Sequence, residues 1–66
     1  MKTNNQRLRE IMKSEKLNRQ QVAVLTMKSL DTVASWLRKP DDLGFRNMPN
    51  SALSFLESQL GMGQQR

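Results

Sequence analysis

The sequence predicts an all-α domain of four short helices. Three observations carry that expectation. Apolar residues recur at spacings of three and four in four separate segments. Thr3, Asn18 and Ser29, residue types suited to helix N-caps, precede three of those segments. No strand signal is strong anywhere in the chain.

The first segment runs from Thr3 to about Lys16. Leu8, Ile11 and Met12 form one apolar face, and Thr3 with Gln6 has the spacing of a capping box. Arg7, Arg9 and Lys13 lie off that face. Leu17 follows as an apolar plug in a short connection. Asn18 opens the second segment, again with a capping-box partner, Gln21, three residues on. Val22, Ala23 and Leu25 form its inner face, Val24 departs from it, and the helix should cover Arg19 to Thr26.

Ser29 caps the third segment. Asp31 and Thr32 fall in its first turn, where the helix dipole favours a carboxylate. Leu30, Val33, Trp36 and Leu37 make an apolar stripe. Arg38 and Lys39 are expected to close this helix, and Pro40 to stop it. Asp41 to Asn47 reads as a loop around Gly44. Pro49 suits the first turn of a fourth helix, with Ala52, Leu53, Leu56 and Leu60 on one face and Phe55 at its margin. Gly61 is the expected stop. Residues 1–61 are therefore expected to form one domain, with 62–66 as a frayed tail. Met12, Met27 and Met48 are expected to serve packing, and Trp36 to be core.

Composition narrows the function by exclusion. The chain has 66 residues, no Cys and no His. Disulfides, Cys/His zinc sites, Cys nucleophiles and His bases are thereby removed, so no enzyme, metal or cofactor is expected. The longest apolar run is the four residues Val22 to Leu25, against about 20 for a membrane helix. The polar Met1–Gln6 stretch predicts no signal peptide, and hence a cytoplasmic module. No small-molecule pocket or sensor domain is expected in a chain this short. A single core below roughly 70–80 residues supplies about 3–5 kcal/mol, so self-association is a natural expectation.

Charge is distributed unevenly. Eleven Lys+Arg oppose six Asp+Glu, a net of +5. Nine of the cations and three of the acids fall in residues 1–40, a net of +6; the remainder carries −1. The partner-facing surface should come from the first forty residues, although a charge of this size also serves plain solubility.

The informative junction lies between the second and third helices, joined by about three residues, Met27-Lys28-Ser29. That is the helix-turn-helix arrangement, whose second helix enters the DNA major groove. It needs a small residue where the helices meet, an apolar residue ten positions later, and a bulky anchor three further on. Ala23, Val33 and Trp36 satisfy all three requirements. Ser29, Asp31, Thr32, Ser35 and Arg38 are then free to face DNA.

The segments Asn18-Arg19-Gln20-Gln21-Val22-Ala23 and Ser29-Leu30-Asp31-Thr32-Val33-Ala34-Ser35-Trp36-Leu37 resemble the helix-turn-helix of Cro/CI-type (XRE-like) phage repressors. The resemblance spans roughly residues 4–60. Arg46-Asn47-Met48-Pro49, followed by Leu53, Leu56 and Leu60, is similar to small phage or prophage regulators, including those that accompany anti-CRISPR genes. Two departures concern the turn. The family usually has Gly where this chain has Met27, and an apolar residue at Lys28. Either the turn is strained, at a cost of about 1 kcal/mol or more for a non-Gly residue at positive φ, or the second helix ends differently.

The resemblance implies base contacts from Ser29, Leu30, Asp31, Thr32, Ser35 and Arg38. Arg38 could bond guanine in bidentate fashion or reach only phosphate. Asp31 could accept from cytosine N4 or merely cap its own helix. Leu30 could meet a thymine methyl or pack under the turn. Arg19 and Gln20, at the start of the second helix, are expected at a phosphate. Arg7, Lys28, Lys39 and Arg46 are further phosphate candidates, as is Lys2. With about six phosphates neutralised, the log–log salt slope would be about −5. Phe55, Leu56, Gln59 and Leu60 are the expected dimer contacts.

These readings make the expected function that of a sequence-specific repressor and autoregulator, binding a short palindrome in double-stranded DNA as a homodimer. Half-sites would lie about one helical turn apart. Two other readings stand beside it. An excisionase-like architectural binder would show a hairpin wing in residues 40–47. A small helical adaptor or inhibitor would turn its basic face to an acidic protein. RNA binding is a further option.

Overall fold

A computed structural model describes residues 2–61. The expected tail at 62–66 lies outside the described residues. The chain is all-helical and contains four helices among the described residues: α1 (Asn4–Glu15), α2 (Arg19–Thr26), α3 (Leu30–Trp36) and α4 (Asn50–Gln59). No strand occurs among them.

Helix starts follow local sequence closely. The Thr3 hydroxyl accepts from the Gln6 amide at 3.1 Å, and the Gln6 side chain accepts from the Thr3 amide at 2.9 Å. Asn18 and Gln21 repeat this reciprocal pair at 2.8 and 2.9 Å. Each box satisfies two amides that no helical carbonyl can reach. Ser29 caps α3 by accepting from the Thr32 amide at 3.1 Å. Pro49 stands one position earlier than expected: it is the N-cap of α4 rather than a residue of its first turn.

Helices α1 and α2 end alike, each on a non-glycine residue in the left-handed region. Lys16 has φ 56° and Met27 has φ 59°. The following amides close the ends, Leu17 to the Met12 carbonyl at 2.8 Å and Lys28 to the Ala23 carbonyl at 3.0 Å. The turn at Met27 is thus the strained alternative of the two open from sequence. Its side chain is 80% exposed, so the expected packing role does not hold. Met27→Gly therefore removes strain without removing a core contact. It should raise stability by about 1 kcal/mol, a rise in melting temperature of about 4–8 °C. Lys16→Gly should act in the same direction, and the two should add. Thermal unfolding followed by circular dichroism measures both. A fall for Met27→Gly would show that the turn does not adopt this geometry.

Nine side chains make the core: Leu8 and Ile11 from α1, Val22 and Ala23 from α2, Val33 and Trp36 from α3, Met48 before α4, and Ala52 and Leu56 within it. Helix α2 packs against both α3 and α4, and α1 against α4. Leu56 is fully buried. Its assignment as a dimer contact is corrected, because Ala52 and Leu56, one helical turn apart, both point into the protomer's own core.

Helix α3 ends at Trp36, with Leu37 as its C-cap, and not at Lys39. Partners distant in sequence take the carbonyls at this end. The Arg46 amide donates to Ser35 O at 3.2 Å. Asn5 Nδ2 donates to Trp36 O at 2.8 Å. Arg9 Nη2 donates to Leu37 O at 2.9 Å and Arg38 O at 3.0 Å. A helix end satisfied this way needs no further turn. The segment after it makes turns, with the Asp42 amide bonded to Lys39 O and the Phe45 amide to Asp42 O. The hairpin expected of an excisionase-like wing at 40–47 is not formed, since both bonds are turn contacts within the loop.

Candidate nucleic-acid interface

Three residues, Met27 to Ser29, separate α2 from α3. Ala23, Val33 and Trp36 are all buried, so the back of α3 is held against the domain. The outward side of α3 carries Leu30 and Asp31, both exposed, with Ala34 and Ser35 partly covered.

The six candidate base contacts differ in what their side chains already do. Ser29 and Thr32 are joined at the start of α3, their hydroxyls 2.9 Å apart. The Ser35 hydroxyl donates back to the Asp31 carbonyl at 3.0 Å, a common use of Ser inside a helix. Leu30 and Asp31 have no such internal engagement among the described residues. Arg38 lies beyond the end of α3 rather than on it. Its guanidinium folds over the following loop, with Nη1 3.4 Å from the Asp42 carboxylate.

The candidate phosphate contacts also divide. Arg7 is half-buried, with Nε 3.2 Å from Glu57 of α4 and Nη1 3.6 Å from Glu10. Its side chain is thus engaged within the domain, bridging α1 to α4. Lys2 is likewise paired with Glu10 at 2.7 Å. The hydrogen bond from Lys2, aided by Arg7, holds the Glu10 carboxyl below its ordinary range. Arg19, Gln20, Lys28, Lys39 and Arg46 are exposed. The four cations among them make no ion pair with a described residue. The backbone bond from Arg46 to Ser35 fixes Arg46 beside the C-terminal half of α3. Lys28 flanks the other end of the same helix. Cations unpaired among the described residues thus bracket the exposed side of α3.

No family model matches the chain, and neither a curated protein nor a solved structure matches it.

Two residues that shape this face are not among the sequence-selected candidates. Asn5 is buried and makes three hydrogen bonds, to Trp36 O at 2.8 Å, to Arg46 O at 2.9 Å and from the Met48 amide at 3.0 Å. Arg9 holds the last carbonyls after α3. The signal for Asn5 was its position three residues before Leu8, in line with the apolar stripe of α1. A lone amide on such a stripe needs buried partners. Arg9 carried no comparable signal.

Of the expected dimer residues other than Leu56, Phe55 and Gln59 are exposed and Leu60 is partly buried. Phe55 borders an open groove with Met27, Lys28 and Ser51, between the end of α2 and α4. Among the described residues there is no cluster of metal-binding side chains and no helix long and apolar enough to cross a membrane.

Proposed function

We propose that the chain is a sequence-specific DNA-binding repressor of the Cro/CI kind, acting in the cytoplasm as a homodimer on an inverted repeat. In this reading α2, the Met27–Ser29 turn and α3 form a helix-turn-helix, and α3 enters the major groove. The observation that carries the reading is an exposed, core-anchored α3 flanked by Lys28, Lys39 and Arg46, with Arg19 at the start of α2, all four unpaired among the described residues. Leu30 and Asp31 offer the base-facing groups from the first turn. Phe55 and Gln59, with Met27 at the same groove, supply the surface for the second subunit.

Four cations from each of two protomers neutralise about eight phosphates, which sets a log–log salt slope of about −7. Selection from a random duplex pool at moderate salt tests the reading. The expected result is a short palindrome whose half-site centres lie about one helical turn apart. Selection of no duplex more than tenfold over random DNA would end it.

A second reading, a protein-binding adaptor, is favoured by one feature. Val24 is 74% exposed and borders a shallow groove on α2 with Leu17 and Leu25. Binding to a protein partner that Val24→Asp abolishes, alongside weak and unselective DNA binding, would establish the adaptor in place of the repressor.

A further inference from the structure

The loop after α3 does something specific to one arginine. Asp42 Oδ1 accepts from the Gly44 amide at 2.8 Å, which fixes the carboxylate in a tight turn. Arg38 Nη1 lies 3.4 Å from Asp42 Oδ2 and 3.5 Å from Oδ1. These distances exceed the roughly 2.7–2.9 Å of a strong charge-assisted bond, so the ion pair alone does not hold the side chain. Packing adds to it. A Cβ placed on Gly44 would lie 2.8 Å from Arg38 Nε and 3.0 Å from its Cδ. The guanidinium therefore lies against the bare backbone of Gly44, and any side chain there would make it shift.

This arrangement uses one nitrogen of Arg38 and leaves the Nε–Nη2 edge without a partner among the described residues. That edge is a planar pair of donors, matched to a bidentate acceptor. Two acceptors of DNA fit it, a phosphate and the O6/N7 edge of guanine. The Asp42 charge separates them. A phosphate at this edge would be brought close to a fixed carboxylate and repelled, whereas a base edge carries no net charge. A restrained arginine also has less rotamer freedom to lose on forming two bonds.

We propose that Asp42 and Gly44 form a shelf that turns the Nε–Nη2 edge of Arg38 toward a single guanine. Asp42 is then a positioning residue for specificity, and the inference rests on the DNA-binding reading above. Asp42→Asn tests it, because the amide oxygen still accepts from the Gly44 amide while the charge is removed. The probe is the duplex selected by the wild-type protein, with every base pair varied singly. In Asp42→Asn, discrimination should fall about tenfold at one G·C pair and stay unchanged elsewhere. Arg38→Lys should lose the same discrimination, and Asp42→Asn should add nothing to Arg38→Lys. Gly44→Ala should reproduce the loss with helicity intact by circular dichroism.

Unchanged discrimination in Asp42→Asn would overturn the shelf while leaving DNA binding standing. So would a uniform rise in affinity, which would make Asp42 a repelling charge only. If the wild-type protein selects no duplex, the DNA-binding reading falls and takes the shelf with it.

Discussion

Asn5→Leu should unfold most of the domain at physiological temperature. The side chain is 5% exposed and joins three separate pieces of backbone, at Trp36, Arg46 and Met48. Leucine has a similar branched shape, is bulkier, and satisfies none of them. Each buried polar group left without a partner costs about 1–3 kcal/mol, so the total is at least about 3 kcal/mol. A core in a chain this short supplies about 3–5 kcal/mol in all. The melting temperature should fall by roughly 12–24 °C. Asn5→Asp should also destabilise at neutral pH, because a carboxylate would face the Trp36 and Arg46 carbonyls. Lowering the pH should restore part of that loss, since a protonated acid can donate to one of them. Urea unfolding of the two variants checks both statements. A loss below about 1 kcal/mol for Asn5→Leu would mean that water replaces the amide at this node.

Lys39→Ala combined with Arg46→Ala should weaken DNA binding at least about a hundredfold at low salt and flatten the salt slope from about −7 to about −4. Both side chains are exposed and unpaired among the described residues. Their removal should leave the melting temperature within a few degrees. Arg7→Ala should behave in the opposite way. It breaks the contacts with Glu57 and Glu10, so it should lower stability and leave the slope unchanged. Titrations at several salt concentrations, with melting curves on the same samples, separate the two outcomes. A slope that Lys39→Ala and Arg46→Ala together leave at −7 would place the DNA elsewhere on the surface.

The two predictions concern residues that the sequence revealed unequally. Arg46 is a basic residue in the loop before α4, and its charge alone made it a candidate. Its place beside α3 depends on a backbone bond to Ser35, eleven positions back in the chain. Arg7 has the same charge, yet Glu57 of α4, fifty residues away, takes it up. Charge can be counted in a sequence, but its availability depends on which acids the fold brings near. The dimer candidates show the same limit. Phe55 and Leu56 are neighbours in sequence, but the rotation of α4 leaves one at the surface and buries the other completely.

The starts of α1, α2 and α3 were legible because their causes are local. The Thr3–Gln6 and Asn18–Gln21 boxes close within four residues, and a side chain reaches its amide without help from the rest of the fold. The all-α class and the core stripe of Leu8, Ile11, Val22, Val33 and Trp36 follow from helical spacing, which is also local. The end of α3 was not legible, because Asn5, Arg9 and Arg46 complete it from across the domain. Tertiary contact likewise decided which cations stay free and where Arg38 lies. Short-range hydrogen bonds set where α1, α2 and α3 begin, and apolar periodicity sets which face each helix hides. Pairing between groups 11 to 50 residues apart sets where α3 stops and which charges are left to meet a partner.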